Sequence, residues 1–297
     1  MKSPIIISLA SNLVSEIYGY SQIVRFIKNV SKYHDELIEL DFSRVSFIEA
    51  NLCAVLGVCF EILEQNGNKI QIKNLQTQVE KIMRKNTFLL KYGFEPLEDR
   101  YQTTVTYKKF TPNNDEGFNT YITEKLLKLP DFPKHTPKLR KEILRNIFEI
   151  FENARTHGSC DYIHTCGQYF PKKLDKPLHF TIVDKGVNIK QNVNDFLKEN
   201  LNADAAIKWA MQKGNTTKKG DTSGGLGLNV IFEFIKLNNG KIQVVSSDGF
   251  YEYNKGKERT STLSSSFNGT IVNLRFNLAD KSSYYLQGEE FDDEIIF

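Results

Sequence analysis

Glu149-Ile150-Phe151-Glu152-Asn153-Ala154-Arg155-Thr156-His157-Gly158 is the stretch that decides how the second half of this chain folds and what it can hold. It closes a helix predicted over 139–156. Leu139, Ile143, Leu144, Ile147, Phe148, Ile150 and Phe151 give that helix a broad apolar face. Glu142, Asn146, Glu149 and Asn153 recur at steps of four, three and four, so they form one polar stripe with neighbours about 6 Å apart. Taken alone, such a stripe is a solvated helix face. Its chemical meaning depends on the residues C-terminal to it.

Phe180-Thr181-Ile182-Val183-Asp184-Lys185-Gly186 places a carboxylate at the end of an apolar strand, with a glycine where the chain must turn. A fixed acceptor there suits the exocyclic amine of adenine. Guanine presents a carbonyl at the equivalent position and would be left unpaired. Further on, Gly220-Asp-Thr-Ser-Gly224-Gly225-Leu226-Gly227-Leu228 runs directly into a helical pattern from Asn229. Glycines before a helix let backbone N–H groups approach an anion, and the helix dipole favours phosphate. The run matches neither the P-loop nor the dinucleotide fingerprint, which needs a preceding strand. Lys213, Lys218 and Lys219 either offset triphosphate charge or belong to a solvated loop.

Around this core the first half reads as strands near 4–9, 37–42 and 69–72 alternating with helices near 17–30, 52–63 and 78–89, a small α/β layer. The polar, turn-rich run at 109–117 is taken as a linker, separating a first domain at 1–108 from a second at 118–279. In the second half, helices at 118–129 and 139–156 precede strands at 160–169 and 178–184. A polar stretch at 185–224, a helix from Leu226 and strands at 241–246 and 270–276 complete it, the order of an α/β sandwich. Residues 280–297 are read as a solvated acidic tail.

Composition bounds the possibilities. The 297 residues carry 39 Lys plus Arg against 36 Asp plus Glu, a net charge of +3, so no nucleic-acid partner is expected. Ile5, Ile6 and Ile7 form a run far shorter than the ~18 residues of a membrane span, and too short for a signal peptide. A cytoplasmic protein with no membrane partner is expected, with Cys53, Cys59, Cys160 and Cys166 reduced. His157, Cys160, His164 and Cys166 offer nitrogen and sulfur ligands, the last three on one face of a strand. Their spacing matches no familiar zinc finger, and small core cysteines are the preferred reading.

Glu149 to Gly158, Asp184 and Gly186, Gly225 and Gly227, and Gly269-Thr270, in that order, resemble the boxes of the GHKL ATPase superfamily. The first box is closest to that of the anti-sigma-factor serine kinases. The resemblance spans about 118–277 and implies ATP and Mg²⁺ as cofactors. It implies that Glu149 orients or deprotonates the nucleophile and that Asn153 ligates Mg²⁺. Asp184, Gly186 and Asn188 would form the adenine box, Gly224, Gly225, Leu226 and Gly227 the phosphate loop, and Thr270 the final strand beside Asp184. Two positions depart from the pattern: Asn188 stands in place of a second glycine and Ser223 in place of the first lid glycine. Asn tolerates the positive φ such a glycine would take.

In the first half, Leu40-Asp41-Phe-Ser-Arg-Val-Ser-Phe47-Ile48-Glu49-Ala50-Asn51-Leu52 followed by a helix, Asn66-Gly67 and Lys69 to Leu75 resembles the STAS domain of anti-sigma-factor antagonists. That family's phosphoacceptor turn aligns with Glu49, Ala50, Asn51 and Leu52, none of which carries a hydroxyl. The resemblances together imply an anti-sigma-type protein serine kinase or ATPase in bacterial regulation. The partner implied is a STAS-like antagonist or regulator, with a homodimer a further option. The alternative is an ATP-gated interaction module without phosphotransfer, which the hydroxyl-less first half supports.

Overall fold

In the computed structural model, which describes residues 3–9, 12–156, 160–212, 214, 215, 217 and 229–289, the first half is a parallel sheet with helical crossovers. Strands β1 (Ile5–Ser8), β2 (Leu37–Asp41) and β3 (Lys69–Lys73) lie in the order β1-β2-β3, all parallel. Parallel neighbours need a crossover, which α1 (Ile17–Val30) and α2 (Cys53–Gln65) supply. The α2 helix ends at Asn66-Gly67, where Gly67 takes φ 75°, a conformation open to glycine at no steric cost. A third helix, α3 (Thr77–Lys85), comes after β3.

The second half is a five-stranded antiparallel sheet in the order β4-β5-β6-β8-β7. Its strands are β4 (Thr104–Phe110), β5 (Ile163–Tyr169), β6 (Pro177–Asp184), β7 (Lys241–Asn254) and β8 (Lys257–Asn277). Its helices are α4 (Asp115–Tyr121), continued by a π turn at Ile122–Leu126, then α5 (Pro137–Thr156), α6 (Ile189–Leu197), α7 (Ala203–Met211) and α8 (Asn229–Leu237). Every residue of β5 and β6 is buried, which requires cover on both faces of the sheet. On one face Leu178, Phe180 and Ile182 join Ile143, Ile147 and Phe151 of α5 in one core. On the other, Cys166, Val183, Val245 and Ile271 join Val55, Leu56 and Phe60 of α2 in a second core. The N-terminal layer is therefore the lid of the second sheet. The α/β class and the sandwich of the second half are as expected.

Four sequence boundaries change. Strand β4 pairs with β5, so residues 104–108 belong to the second sheet and not to a first domain ending at 108. Lys108 and Lys109 are polar because β4 lies at the sheet edge. Helix α4 begins inside the segment read as a linker, with Asn114 Oδ1 accepting from Gly117 N at 3.1 Å as its cap. The polar stretch after Asp184 is not one long loop but contains α6 and α7. Finally, residues 280–289 are not a free tail. Tyr284 is buried and bridges to His135, and Thr136 Oγ1 donates to Glu289 Oε2 at 2.8 Å. Residues 290–297 lie outside the described residues.

The last hairpin is longer than its apolar pattern suggests. β7 and β8 continue past the expected strands through 247–269, and Phe250, Leu263 and Phe267 of that extension pack into the core of the N-terminal layer. Its run Thr260-Ser261-Thr262-Leu263-Ser264-Ser265-Ser266 resembles a polar loop because alternate residues face solvent, although Thr260, Ser261 and Thr262 pair with β7.

Candidate nucleotide site

Asp184 ends β6 between two neighbours, opposite Ile163 of β5 and Thr270 of β8. Gly269 precedes Thr270 at φ 138°, and a Cβ there would lie 2.1 Å from the Asp184 carbonyl oxygen. Only glycine allows that approach of β8 to the end of β6. Ser246 of β7 completes the corner. Its hydroxyl donates to Gly269 O at 2.8 Å, accepts from Ile189 N at 2.9 Å and lies 3.1 Å from Thr270 Oγ1, tying α6 to both strands.

Asp184 itself is 6% exposed, and its Oδ1 is buried with no hydrogen-bond partner among the described residues. Asp115 and Glu152 also hold an unpaired buried oxygen, but each of those residues is half-buried as a whole; Asn51 Oδ1 is another, on a fully buried neutral amide in the seam between the layers, which makes Asp184 the buried carboxylate among them. Burial pushes the Asp184 carboxyl from its ordinary 3.8 up to about 7, against the weaker pull of the Thr270 and Asp184 backbone N–H groups. An acceptor left in this condition is costly unless a donor beyond the described residues meets it. Cys160 sits close enough for the Asp184 charge, after burial, to help push its thiol up to about 12. Its Sγ donates to Ala154 O at 3.4 Å, fastening the end of α5 near this corner.

Gly186 and Asn188 lie in the turn into α6, both half-buried. Here one expectation changes, that for Asn188. Gly186 does not take a positive φ, and Asn188 sits at φ −85° as the N-cap of α6, its Oδ1 accepting from Gln191 N at 2.9 Å. Asn188 is thus a helix cap and not a glycine substitute in a left-handed turn.

Helix α5 packs against β6 and α8. Glu149 lies on it, half-buried, with Oε1 3.7 Å from Arg145 Nε, and Asn153 is half-buried one turn on. The polar stripe is not uniformly solvated. Asn146 is 4% exposed and turned inward, its Oδ1 accepting from Val230 N at 2.9 Å and Ile231 N at 3.3 Å at the start of α8. Nothing in the spacing separates Asn146 from Glu142 or Glu149; only the tertiary placement of α8 does. Gly224, Gly225, Leu226 and Gly227, with His157, Gly158, Lys213, Lys218, Lys219 and Ser223, lie outside the described residues.

No family model matches the chain, and no curated protein matches it. Among solved structures, the histidine kinase domain of the blue-light activated histidine kinase of Erythrobacter litoralis EL346 aligns over 87% of this chain and 94% of that chain, at 11% identity and a TM-score of 0.25. A score that low carries no inference. The chemistry of the site has to carry the function.

Of the four residues with metal-ligand chemistry, the three that are described do not converge. His164 Nε2 meets Glu61 Oε2 at 2.9 Å and its Nδ1 meets the Tyr107 hydroxyl at 2.8 Å, while Lys109 Nζ lies 3.0 Å from the same Glu61 oxygen. Cys166 packs into the seam between the layers, and Cys160 lies in the other core, so the three do not share a face. Among the described residues no group of three or more His, Cys, Asp or Glu side chains comes together to hold a metal. No helix among them is long and apolar enough to cross a membrane.

The turn equated with a phosphoacceptor, Ala50–Leu52, is a 3-10 turn buried in that same seam. Asn51 Nδ2 donates to Ser15 Oγ at 2.8 Å, Thr181 Oγ1 at 2.9 Å and Asn273 Oδ1 at 3.3 Å. Ala50 N donates to Gln168 Oε1 at 2.5 Å, and Glu49 Oε2 accepts from Ser15 N at 2.7 Å. The turn is thus plugged into β5, β6 and β8 of its own chain.

Proposed function

We propose that the second layer binds ATP with Mg²⁺ and serves as the ATP-dependent unit of a regulatory protein, in the manner of a GHKL protein serine kinase or ATPase. The unpaired, buried Oδ1 of Asp184 carries this reading. It is an acceptor fixed by three strands and a turn, of the kind that adenine's amine satisfies and guanine's carbonyl does not. Asn153, an amide on the polar stripe of α5, offers an oxygen suited to Mg²⁺, a hard cation that keeps several waters and bridges phosphates. Bound Mg-ATP would supply a transferable phosphoryl group whose charge needs neutralising. Glu149 would hold the attacking hydroxyl or water through its carboxylate, and Thr270 keeps β8 registered beside Asp184.

Titration calorimetry tests this. ATP should bind, GTP should bind at least ~10²-fold more weakly, and Asp184→Asn should remove the preference. Equal affinity for the two nucleotides would refute the adenine assignment.

A second reading, nucleotide binding that alters a protein interface without phosphotransfer, draws on the buried Ala50–Asn51 turn. With neither hydroxyl nor exposure, the N-terminal layer is no phosphoacceptor at that position. Incubation with γ-labelled ATP and extract separates the two: label on a protein or in free phosphate supports the enzyme, and label on neither supports the interaction module.

A further inference from the structure

We infer that Asn146 is a positioning residue that locks the start of α8 to α5 and so sets the phosphate side of the site, an inference that rests on the proposed nucleotide reading. A helix leaves the N–H groups of its first turn without partners in the helix itself. In α8 those of Val230 and Ile231 are taken by the Asn146 side-chain oxygen, which reaches them from α5. The other end of the same amide is also committed, Nδ2 donating to Glu142 O at 2.8 Å one turn back. With donors on one side and an acceptor on the other, the amide has a single orientation that satisfies all three contacts.

This anchoring has two effects. First, Asn146 lies three residues before Glu149 and seven before Asn153, two helical turns on one stripe. The helix that carries the proposed chemistry and the helix that comes after the glycine-rich run in sequence are therefore held as one body. Second, Val230 N and Ile231 N are already engaged, so an anion at this end must be met by other donors. The fold does not depend on the cap alone. Ile231, Phe234 and Ile235 bury the apolar face of α8 against the core that also holds Ile143, Ile147 and Ile150.

Asn146→Leu, of nearly the same shape, removes all three hydrogen bonds. Asn146→Asp keeps the acceptor for α8, where a negative charge is favourable. We expect Asn146→Leu to retain wild-type circular dichroism and adenosine affinity within about 2-fold, and to weaken Mg-ATP binding by about 10-fold, the size of one lost cap. Asn146→Asp should recover most of that loss. In the protein without ligand, amide exchange at Val230 and Ile231 should quicken at least ~10-fold in Asn146→Leu while Phe234 and Ile235 keep their protection. Unchanged exchange at those two amides overturns the anchoring. Equal weakening of adenosine and ATP, or no weakening of either, overturns the phosphate role. If the wild type binds neither, the nucleotide assignment itself has failed and the phosphate role falls with it, while exchange still decides the anchor.

Discussion

Glu61 and Asp184 are both buried carboxylates, and the protein treats them in opposite ways. Glu61, in the seam between the layers, is pushed up by burial, but His164 and Lys109 donate to it and hold it below the ordinary 4.5. Asp184, at the end of β6, is pushed up by burial with no side-chain partner among the described residues to oppose it, and rises to about 7. A carboxylate furnished with partners by its own chain is part of the architecture. One left short of a donor among the described residues, at the end of a strand, is the acceptor that the proposed adenine contact would use.

The contrast breaks if the wrong residue proves essential to the wrong property. Glu61→Ala should have the largest effect on stability, ~2–3 kcal/mol in denaturant unfolding, because the buried His164 ring, kept neutral by burial, and Lys109 both lose their acceptor. Nucleotide affinity should be unchanged; a loss of affinity with normal stability would reverse the two roles. Asp184→Asn should do the opposite, weakening ATP by about 10²-fold, or ~2.7 kcal/mol, without destabilising the fold. Between pH ~4 and ~7 the folded protein keeps a proton on Asp184 that the unfolded chain has already released, so this group's contribution falls as pH rises across that window and is level above it. The melting temperature of Asp184→Asn relative to the wild type should therefore climb from pH 4 to 7 and then stay constant. A difference that does not vary with pH would mean that Asp184 is already ionised in the fold.

The seam offers a smaller test. Asn51→Ala should cost ~1–3 kcal/mol through the partners it leaves at Ser15, Thr181 and Asn273, with ATP binding intact. Smallest of all should be the response of Trp209, half-buried on α7 with its ring 6.1 Å from Phe196. Ala206, Ile207 and Ala210 anchor α7 in the core, so Mg-ATP should shift the indole emission slightly and saturably, and ADP less. A constant spectrum at full occupancy would show that α7 does not respond to the γ-phosphate.

Periodicity reveals some of this molecule, and only packing reveals the rest. Helices α1, α2, α3 and α5 and strands β2, β3 and β6 are legible in the sequence because their apolar residues recur at the period of one element. Asp184 is legible as a carboxylate at a strand end because an apolar run before it and a glycine after it are local signals, whereas Gly269 and Thr270 enter only through the resemblance. The cap made by Asn146, the clasp of Ser246 and the docking of Asn51 are not. Each joins residues distant along the chain, and a polar side chain in sequence looks the same whether it faces water or another strand. The far half of the β7–β8 hairpin escapes for a related reason, since its alternating serines and threonines carry the composition of a loop.

That hairpin also bears on how the protein is made. Phe250, Leu263 and Phe267 are a wall of the N-terminal core, yet they are synthesised long after β3, which ends at Lys73. With elongation at ~5–20 residues per second, the first layer leaves the ribosome many seconds before its wall exists. Its apolar face is bare during that interval, so a nascent chain truncated before the hairpin should be a client for chaperones even though all three of its parallel strands are complete.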